Sequence, residues 1–492
     1  MKVLVVSFFN EESYGVRSLH SNLISNNIDA YMMFFKLAGK YYNLTNDEKH
    51  KKSFIGDDNN NATDEEIDLF VDFIIKNKFD VIGFSLVSSH FNMYKRIYEK
   101  IKDIKGLTII CGGWQISLNP DESIRYADYI CIGEGEDAFL EIITKLDKNE
   151  SLENINNFWR NENGEITKND VRPLSKDLSL FPIPVFEHKY SYFVENNELV
   201  NYELYFDNTR YGTFIGRGCP FKCTYCSNSS MTALYPNWSK ARHRSIEHVK
   251  SEMIVLKEKL KNVKSINFYD EVFSPSMDWI KEFFNWYRTE VNIPFFCFFF
   301  PGTCSDEKCE VLANAGMKGV WIGIQSGSQR VRKEVFKRFY SNKKLLEQCH
   351  IFHKHGVNVR YDFILDNPFE TFEESLESIY LMLELPQPYS MNLFSLKYFP
   401  NTQIAQMAID AGIITENDLD DNQEEDKDSY LISKSANSDD DIFINRLALY
   451  ISYHSNETFD DKFKNSIIDL IEDYKENKDI SGIISLVENK IE

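Results

Sequence analysis

Three cysteines differ from the rest by their spacing. Gly216-Arg217-Gly218-Cys219-Pro220-Phe221-Lys222-Cys223-Thr224-Tyr225-Cys226 contains the pattern Cys-x3-Cys-x2-Cys. Thiolates that close in sequence converge on a soft metal centre. Three readings compete. A structural zinc site takes four ligands, and no fourth Cys or His lies nearby, so zinc needs a remote partner. Three unconnected thiols would pack as small hydrophobes. Three thiolates can also hold three irons of a [4Fe–4S] cluster and leave the fourth iron open. An open iron binds a substrate or cofactor, so that site would be chemical. Glycines around a strand-end turn argue against the plain-thiol reading. Cys304 and Cys309 form Cys-x4-Cys and read as core or surface thiols. Cys111, Cys131, Cys297 and Cys349 lie in apolar runs or on helices and read as packing.

The elements that must carry this loop form a repeating pattern. Val3 to Phe9 is a buried-strand run, followed by an amphipathic stretch from Gly15. Asp80 to Ser85, Leu107 to Cys111 and Tyr129 to Ile132 read as further strands, with helical spacing at Glu65–Asn77 and Phe91–Ile104 between them. This rhythm predicts a doubly wound parallel sheet of Rossmann type. Ligands bind such sheets at the carboxyl ends of the strands, and Gly112-Gly113 and Gly133-Glu134-Gly135-Glu136 fall there. Lys40 to Thr63 is polar and reads as a poorly ordered loop. Residues 151–204 break the rhythm and read as a linker with a small hairpin at Asn163-Gly164. Candidate strands then recur at Thr213–Gly216, Ser265–Tyr269, Phe295–Phe300, Gly319–Gly323, Asn358–Ile364 and Met391–Tyr398. Six βα units suffice for a partial barrel, whose active site sits at the carboxyl ends of its strands. The acidic run Asp418 to Asp428 and Asn437–Asp441 read as solvated loops. Ile442–Tyr453 and Phe463–Ile471 read as packed helices. The predicted division is 1–150, 151–204, 205–402 and 403–492, in an α/β chain with a C-terminal helical region.

Composition limits the partners. The 492 residues include 55 Lys and Arg against 76 Asp and Glu, a formal charge of −21. Nucleic-acid backbones need clustered positive charge, and anionic membranes need the same. Neither is expected as a partner. No run reaches the roughly 18 apolar residues of a spanning helix. The apolar start at Met1 soon meets Asn10, Glu11 and Glu12, so it reads as a strand and not a signal peptide. Nine cysteines, an odd number without regular pairing, fit a reducing cytoplasm. Hydrophobic residues at 43% provide real cores.

The cysteine loop, with Tyr225 at its aromatic position, resembles that of the radical S-adenosylmethionine (SAM) enzymes. The resemblance continues in order along the chain. Asn267-Phe268-Tyr269-Asp270-Glu271 is similar to the strand-end acidic motif near the SAM methionyl group. Gly323-Ile324-Gln325-Ser326-Gly327-Ser328 is similar to Gly-x-Glu-Ser-Gly-Ser near the ribose, with Gln325 in place of Glu. Asp362 to Thr371 resembles the strand ending Gly-Leu-Pro-Gly-Glu-Thr, here with Asp366-Asn367-Pro368-Phe369. Phe399-Pro400-Asn401-Thr402 resembles the closing Pro-Gly-Thr. The resemblance implies a [4Fe–4S] cluster on Cys219, Cys223 and Cys226, and SAM near Tyr225, Asp270, Glu271, Gln325, Ser326 and Asn367. Arg217 and Lys222 would then form a basic island for the SAM carboxylate. Taken singly, Asp270-Glu271 could be a solvated turn, and Ser326-Gly327-Ser328 an ordinary helix start.

The first 146 residues resemble the cobalamin-binding domain that precedes the barrel in one radical SAM subgroup. The matching segments are Ser85-Leu86-Val87-Ser88-Ser89-His90, Gly112-Gly113-Trp114 and Gly133-Glu134. They imply a cobalamin cradle. The Asp-x-His-x-x-Gly of many cobalamin proteins is replaced by Asn10-Glu11-Glu12-Ser13-Tyr14-Gly15, so no His there ligates cobalt. His90 either approaches the ring or stands as a solvated neighbour of a helix start. As a whole, the resemblance implies reductive cleavage of SAM to a 5′-deoxyadenosyl radical and cobalamin-dependent methylation of an unactivated carbon. Radical cyclisation or rearrangement without methyl transfer, and a non-catalytic cobalamin or redox sensor, are the rival readings. The expected partners are a small-molecule or peptide substrate and a one-electron reductant such as flavodoxin or ferredoxin. Trp321, Phe394 and Tyr398 are candidates to line the cavity, and the C-terminal helices to cap the barrel mouth.

Overall fold

The computed structural model describes residues 1–37, 62–421 and 438–491. The loop expected at Lys40 to Thr63 lies outside these residues except for Ala62 and Thr63. Residues 422–428 of the acidic run lie outside them as well.

The strands in chain order are β1 (Lys2–Phe8), β2 (Asp29–Phe35), β3 (Val81–Ser85), β4 (Thr108–Gly112), β5 (Tyr129–Cys131), β6 (Phe158–Glu162), β7 (Glu165–Lys168), β8 (Ser191–Glu195) and β9 (Glu198–Asn201). They form one sheet in the order β7-β6-β5-β4-β3-β1-β2-β8-β9. From β5 to β8 neighbours pair in parallel. Both faces are covered by helices, so the central strands read as unbroken apolar runs. The order reverses between β1 and β3, which opens a crevice at their carboxyl ends. β2 has no counterpart in the sequence reading. Its short run of Tyr, Met and Phe cannot be told from a buried helix turn by periodicity. Two hairpins replace the one expected in 151–204, and each extends an edge of this sheet. At the turn between β6 and β7, Asn163 (φ 53°) and Gly164 (φ 92°) both take left-handed backbone, as a tight hairpin turn requires.

The second sheet contains β10 (Arg210–Thr213), then β13 (Ser265–Phe268), β14 (Phe295–Phe299), β15 (Met317–Gln325), β16 (Asn358–Leu365) and β17 (Ser390–Ser395), all parallel and in sequence order. This is an open six-stranded barrel with its helices outside. Between its first two strands, β11 (Gly216–Arg217) pairs with β12 (Arg242–His243) as a separate ribbon. The first barrel strand therefore stops at Thr213, short of the Gly216 expected. The helix Asp439–His454 packs on Phe372–Glu384 and on β17, and its Phe443, Leu447 and Ile451 join the barrel core. That helix thus flanks the last strand, whereas the helix Gln403–Asp410 packs at the carboxyl end of the barrel, where Ile404 donates its N–H to Thr224 O of the cysteine loop (3.1 Å). Asp439, Asp440 and Asp441, expected in a loop, form the first turn of that helix, where acidic groups oppose the helix dipole.

One buried carboxylate joins the two halves. Glu252 Oε1 accepts from Tyr211 Oη (2.8 Å) and Thr213 Oγ1 (2.7 Å) of the barrel. Its Oε2 accepts from Tyr14 Oη at 3.0 Å and from the Arg244 guanidinium. Burial pushes this carboxyl up, but Arg244 and the hydroxyl donors outweigh it and hold it below the ordinary glutamate range. Its stabilisation is therefore present above that range and is lost as pH falls through the lowered value. Glu252→Gln leaves Arg244 buried without a counter-charge and should cost about 3 kcal/mol in denaturant melts. Tyr14→Phe removes one hydrogen bond and should cost about 1 kcal/mol. Equal, small losses in both variants would refute the clamp.

Candidate functional site

The cysteine loop lies between β11 and the helix Ser227–Leu234, at the carboxyl end of the barrel. Its backbone is held on three sides. Asp270, just past β13, accepts the N–H groups of Ile215 (3.0 Å) and Gly216 (2.6 Å). Gly218 takes φ 99°, and a Cβ there would lie 2.6 Å from the Trp238 carbonyl oxygen. Thr224 donates its N–H to Phe336 O (3.2 Å) and its hydroxyl to Val335 O (2.7 Å), both at the end of the π-helical turn Val331–Val335. Such turns recur at functional sites because they redirect backbone groups.

All three thiols are free, with Cys219 and Cys223 buried and Cys226 partly exposed. Arg338 reaches them from beyond the π turn. Its Nη1 donates to Cys223 Sγ (3.3 Å) and Tyr225 Oη (3.1 Å), and its Nη2 to the Gly323 carbonyl. The Phe300 ring lies 4.3 Å from the guanidinium. Among the described residues no three Cys, His, Asp or Glu groups converge closely enough for one metal ion. A cubane distributes its ligands over several irons, so its thiols need not meet at one point. Three thiols on a fixed loop beside a buried cation suit that donor chemistry. Burial pushes the Cys219 thiol up to about 12, a penalty that a coordinating metal removes because a bound thiol is deprotonated.

The residues expected around SAM divide into two sets. Asp270, Ser326 and Asn367 are buried and engaged inside the protein. Burial, only partly offset by the two N–H bonds, pushes the Asp270 carboxyl up to about 7. Ser326 donates its hydroxyl to Glu370 (2.8 Å) and accepts the Ser328 N–H (3.0 Å). Asn367 Oδ1 accepts the Phe369 N–H at 3.1 Å. Tyr225, Glu271 and Gln325 keep partial exposure near the loop. Gln325 stands at a bulge with φ 74°, its amide folded over Gly323.

A cavity of about 440 Å³ lies where the two sheets meet. Ser85, His90, Gly112, Gly113, Trp114, Gly133 and Glu134 line it from the strand ends of the first sheet. Phe214, Gly216, Arg217, Tyr269 and Glu271 line it from the barrel. Leu86, Ser88 and Ser89 are not in its wall. Leu86 is buried, and its backbone bridges Gly112 and Gln115. Gly113 makes room for Leu86 rather than for a ligand, since a Cβ there would lie 2.6 Å from Leu86 O. A Cβ on Gly15 would enter open space at the cavity edge. His90 packs its ring 5.0 Å from that of Phe9. A cavity whose wall sets glycines beside the broad faces of Trp114, Phe214 and Tyr269 fits a flat macrocycle.

Sequence reasoning placed Arg217 at the SAM carboxylate. Instead it pairs with Glu136 and lies 3.6 Å from Glu134, while Arg242 binds Glu134 through two nitrogens. Lys222 is exposed, and the cation that contacts the thiols is Arg338. Nothing local marks it, because Arg330, Arg332, Lys333 and Lys337 precede it closely.

Residues 213–381 match the model of the radical SAM superfamily, and residues 44–143 that of the B12 binding domain. The chain therefore carries a radical SAM domain and a B12-binding domain. An uncharacterised methyltransferase of Pyrococcus horikoshii is 24% identical over 337 residues, covering 67% of this chain and 69% of that protein. The bacteriochlorophyllide d C-8(2)-methyltransferase of Chlorobaculum tepidum is 22% identical, covering 68% and 70%. Among solved structures, the radical SAM methyltransferase TsrM of Kitasatospora setae superposes with a TM-score of 0.66 at 14% identity, over 84% of this chain and 77% of that one. The cobalamin-dependent SAM radical enzyme OxsB gives 0.66 at 15% identity, over 96% and 71%. The cavity therefore separates a B12-binding domain from a radical SAM barrel.

Asp270→Asn tests how this domain holds its loop. The amide turns an N–H toward a backbone donor and should cost about 1–3 kcal/mol. Iron content after anaerobic reconstitution should fall well below that of the parent. Full iron content with unchanged melting would show that the Asp270 bonds do not position the cysteines.

Proposed function

We propose that the protein methylates an unactivated carbon of a small metabolite or peptide, using SAM and cobalamin. One observation carries this reading: the strand ends of the B12-binding domain and the edge of the cysteine loop line one cavity. When bound, the cluster supplies the electron that cleaves SAM to a 5′-deoxyadenosyl radical, and cobalamin supplies the methyl group.

The chain's own residues have distinct tasks. Cys219, Cys223 and Cys226 hold the cluster. Arg338 offers a cation to the SAM carboxylate, while Tyr225, Glu271 and Gln325 orient the rest of SAM. Asp270, Ser326 and Asn367 position the strand-end loops from behind. Ser85, Gly112, Gly133 and His90 face the corrin, with Glu134 fixed by Arg242. The division at 150, 204 and 402 separates cofactor domain, a segment whose hairpins extend that domain's sheet, barrel and helical flank. A flavodoxin or ferredoxin supplies the electron. Nine free cysteines fit the reducing cytoplasm, and among the described residues no helix is long and apolar enough to cross a membrane.

Anaerobically reconstituted protein with a one-electron reductant should release 5′-deoxyadenosine from SAM. Cys223→Ala should abolish that release. Protein supplemented with cobalamin should retain a corrin band through gel filtration. No 5′-deoxyadenosine would defeat the radical reading. SAM cleavage without a retained corrin would defeat the methyl-transfer reading.

A further inference from the structure

A second cavity, of about 310 Å³, opens at the amino ends of β14 to β17, the end of the barrel away from the cysteine loop. Phe296, Trp321, Asn358, Arg360, Ser390 and Asn456 line it. Alternation along β16 explains its character. Val359, Tyr361 and Phe363 are buried under the helices, whereas Asn358, Arg360 and Asp362 face inward and retain exposure. The Trp321 ring stacks on Phe298, with centroids 4.8 Å apart and planes 14° apart. The Arg360 guanidinium lies 5.9 Å from the Trp321 ring centre, and its Nε donates to Ser390 Oγ at 3.2 Å. Among the described residues no carboxylate lies within 4.0 Å of it. The Arg360 charge acts on the Asp362 carboxyl two residues along the strand but makes no contact with it, so in a chain of net charge −21 the guanidinium stands as a cation in the cavity wall.

The inner face connects this cavity to the reaction end. Two residues up β16, Asp362 lies in register with Gly323 of β15, and Asn392 donates to it at 2.8 Å. Arg338 binds the Gly323 carbonyl. Two residues of strand span about 7 Å, so one elongated molecule can touch both levels.

We propose that this cavity binds the anionic end of the substrate, a carboxylate or phosphate on Arg360, with an apolar planar body along Trp321 and Phe298. The inference rests on the barrel being the substrate site of the proposed reaction.

Calorimetry on the reconstituted full chain tests it, with cinnamate and phenyl phosphate as anionic probes, cinnamamide as the neutral one and cinnamylamine as the cation. At least one anion should bind tenfold more tightly than the amide or amine, and the tighter anion identifies the group. Arg360→Gln should erase this preference, and Arg360→Lys should recover part of it. Both variants should release 5′-deoxyadenosine from SAM as the parent does. No anion binding, equal binding of acid and amide, or a preference unchanged in Arg360→Gln would overturn the site. An anion preference that depends on Arg360, in a protein that never cleaves SAM, would uphold the site and defeat the proposed reaction.

Discussion

Arg217 ties the barrel to the first sheet at the point where their ligands must meet. Its guanidinium enters from β11 and ends between Glu134 and Glu136, which follow β5. Arg242, from the facing strand of the same ribbon, completes the group through Glu134. Removing such ions from water costs several kcal/mol each. The cost is met only when both signs arrive together in the right geometry. The group therefore says more about registration than about stability: it fixes which strand ends of one domain face which loop of the other. The cysteine loop begins directly after Arg217, so the same ribbon sets the distance from the thiols to the cavity.

This arrangement explains why the acidic Gly133 to Glu136 turn lies beside a chemical site without repelling it. Its charges are neutralised from the opposite domain. It also explains why the cation near the thiols comes from elsewhere. Arg338 is in hydrogen-bonding contact with Cys223 and Tyr225, and Tyr340 and Phe300 surround it. Aromatic faces stabilise a guanidinium that has left water. The two arginines thus divide the work: one aligns the domains and the other faces the cysteine loop.

The cysteine spacing and the buried parallel strands were legible because both are local patterns. Strand ends were read to within a few residues, and the glycine turns at Gly112-Gly113 and Gly133-Glu134 lie in the cavity wall. What escaped has a common physical cause. The β2 run carries no alternation, the edge hairpins pair with partners far along the chain, and the charge network is defined only by tertiary contact. A sequence shows that Arg217 and Glu134 are charged, but not that they meet. Arg360 was equally silent, since one arginine in a strand gives no hint that its neighbours are aromatic rings from two other strands.

One departure from the family pattern shows how such contacts replace a local rule. The strand usually followed by Gly-Leu-Pro-Gly is followed here by Asp366, which takes φ 54°. A side chain in that region costs about 1 kcal/mol relative to glycine, and Asp tolerates it better than most residues. The carboxylate offsets this cost by accepting from Ser395 at the end of β17 and from Asn445 at 2.7 Å. Asn445 belongs to the helix Asp439–His454, so the replaced glycine becomes an anchor for the C-terminal region. Beyond its end that helix leads to Asn456, in the wall of the lower cavity. The residue in the glycine's place thereby ties the carboxyl end of the barrel to the helix that leads to the opposite end.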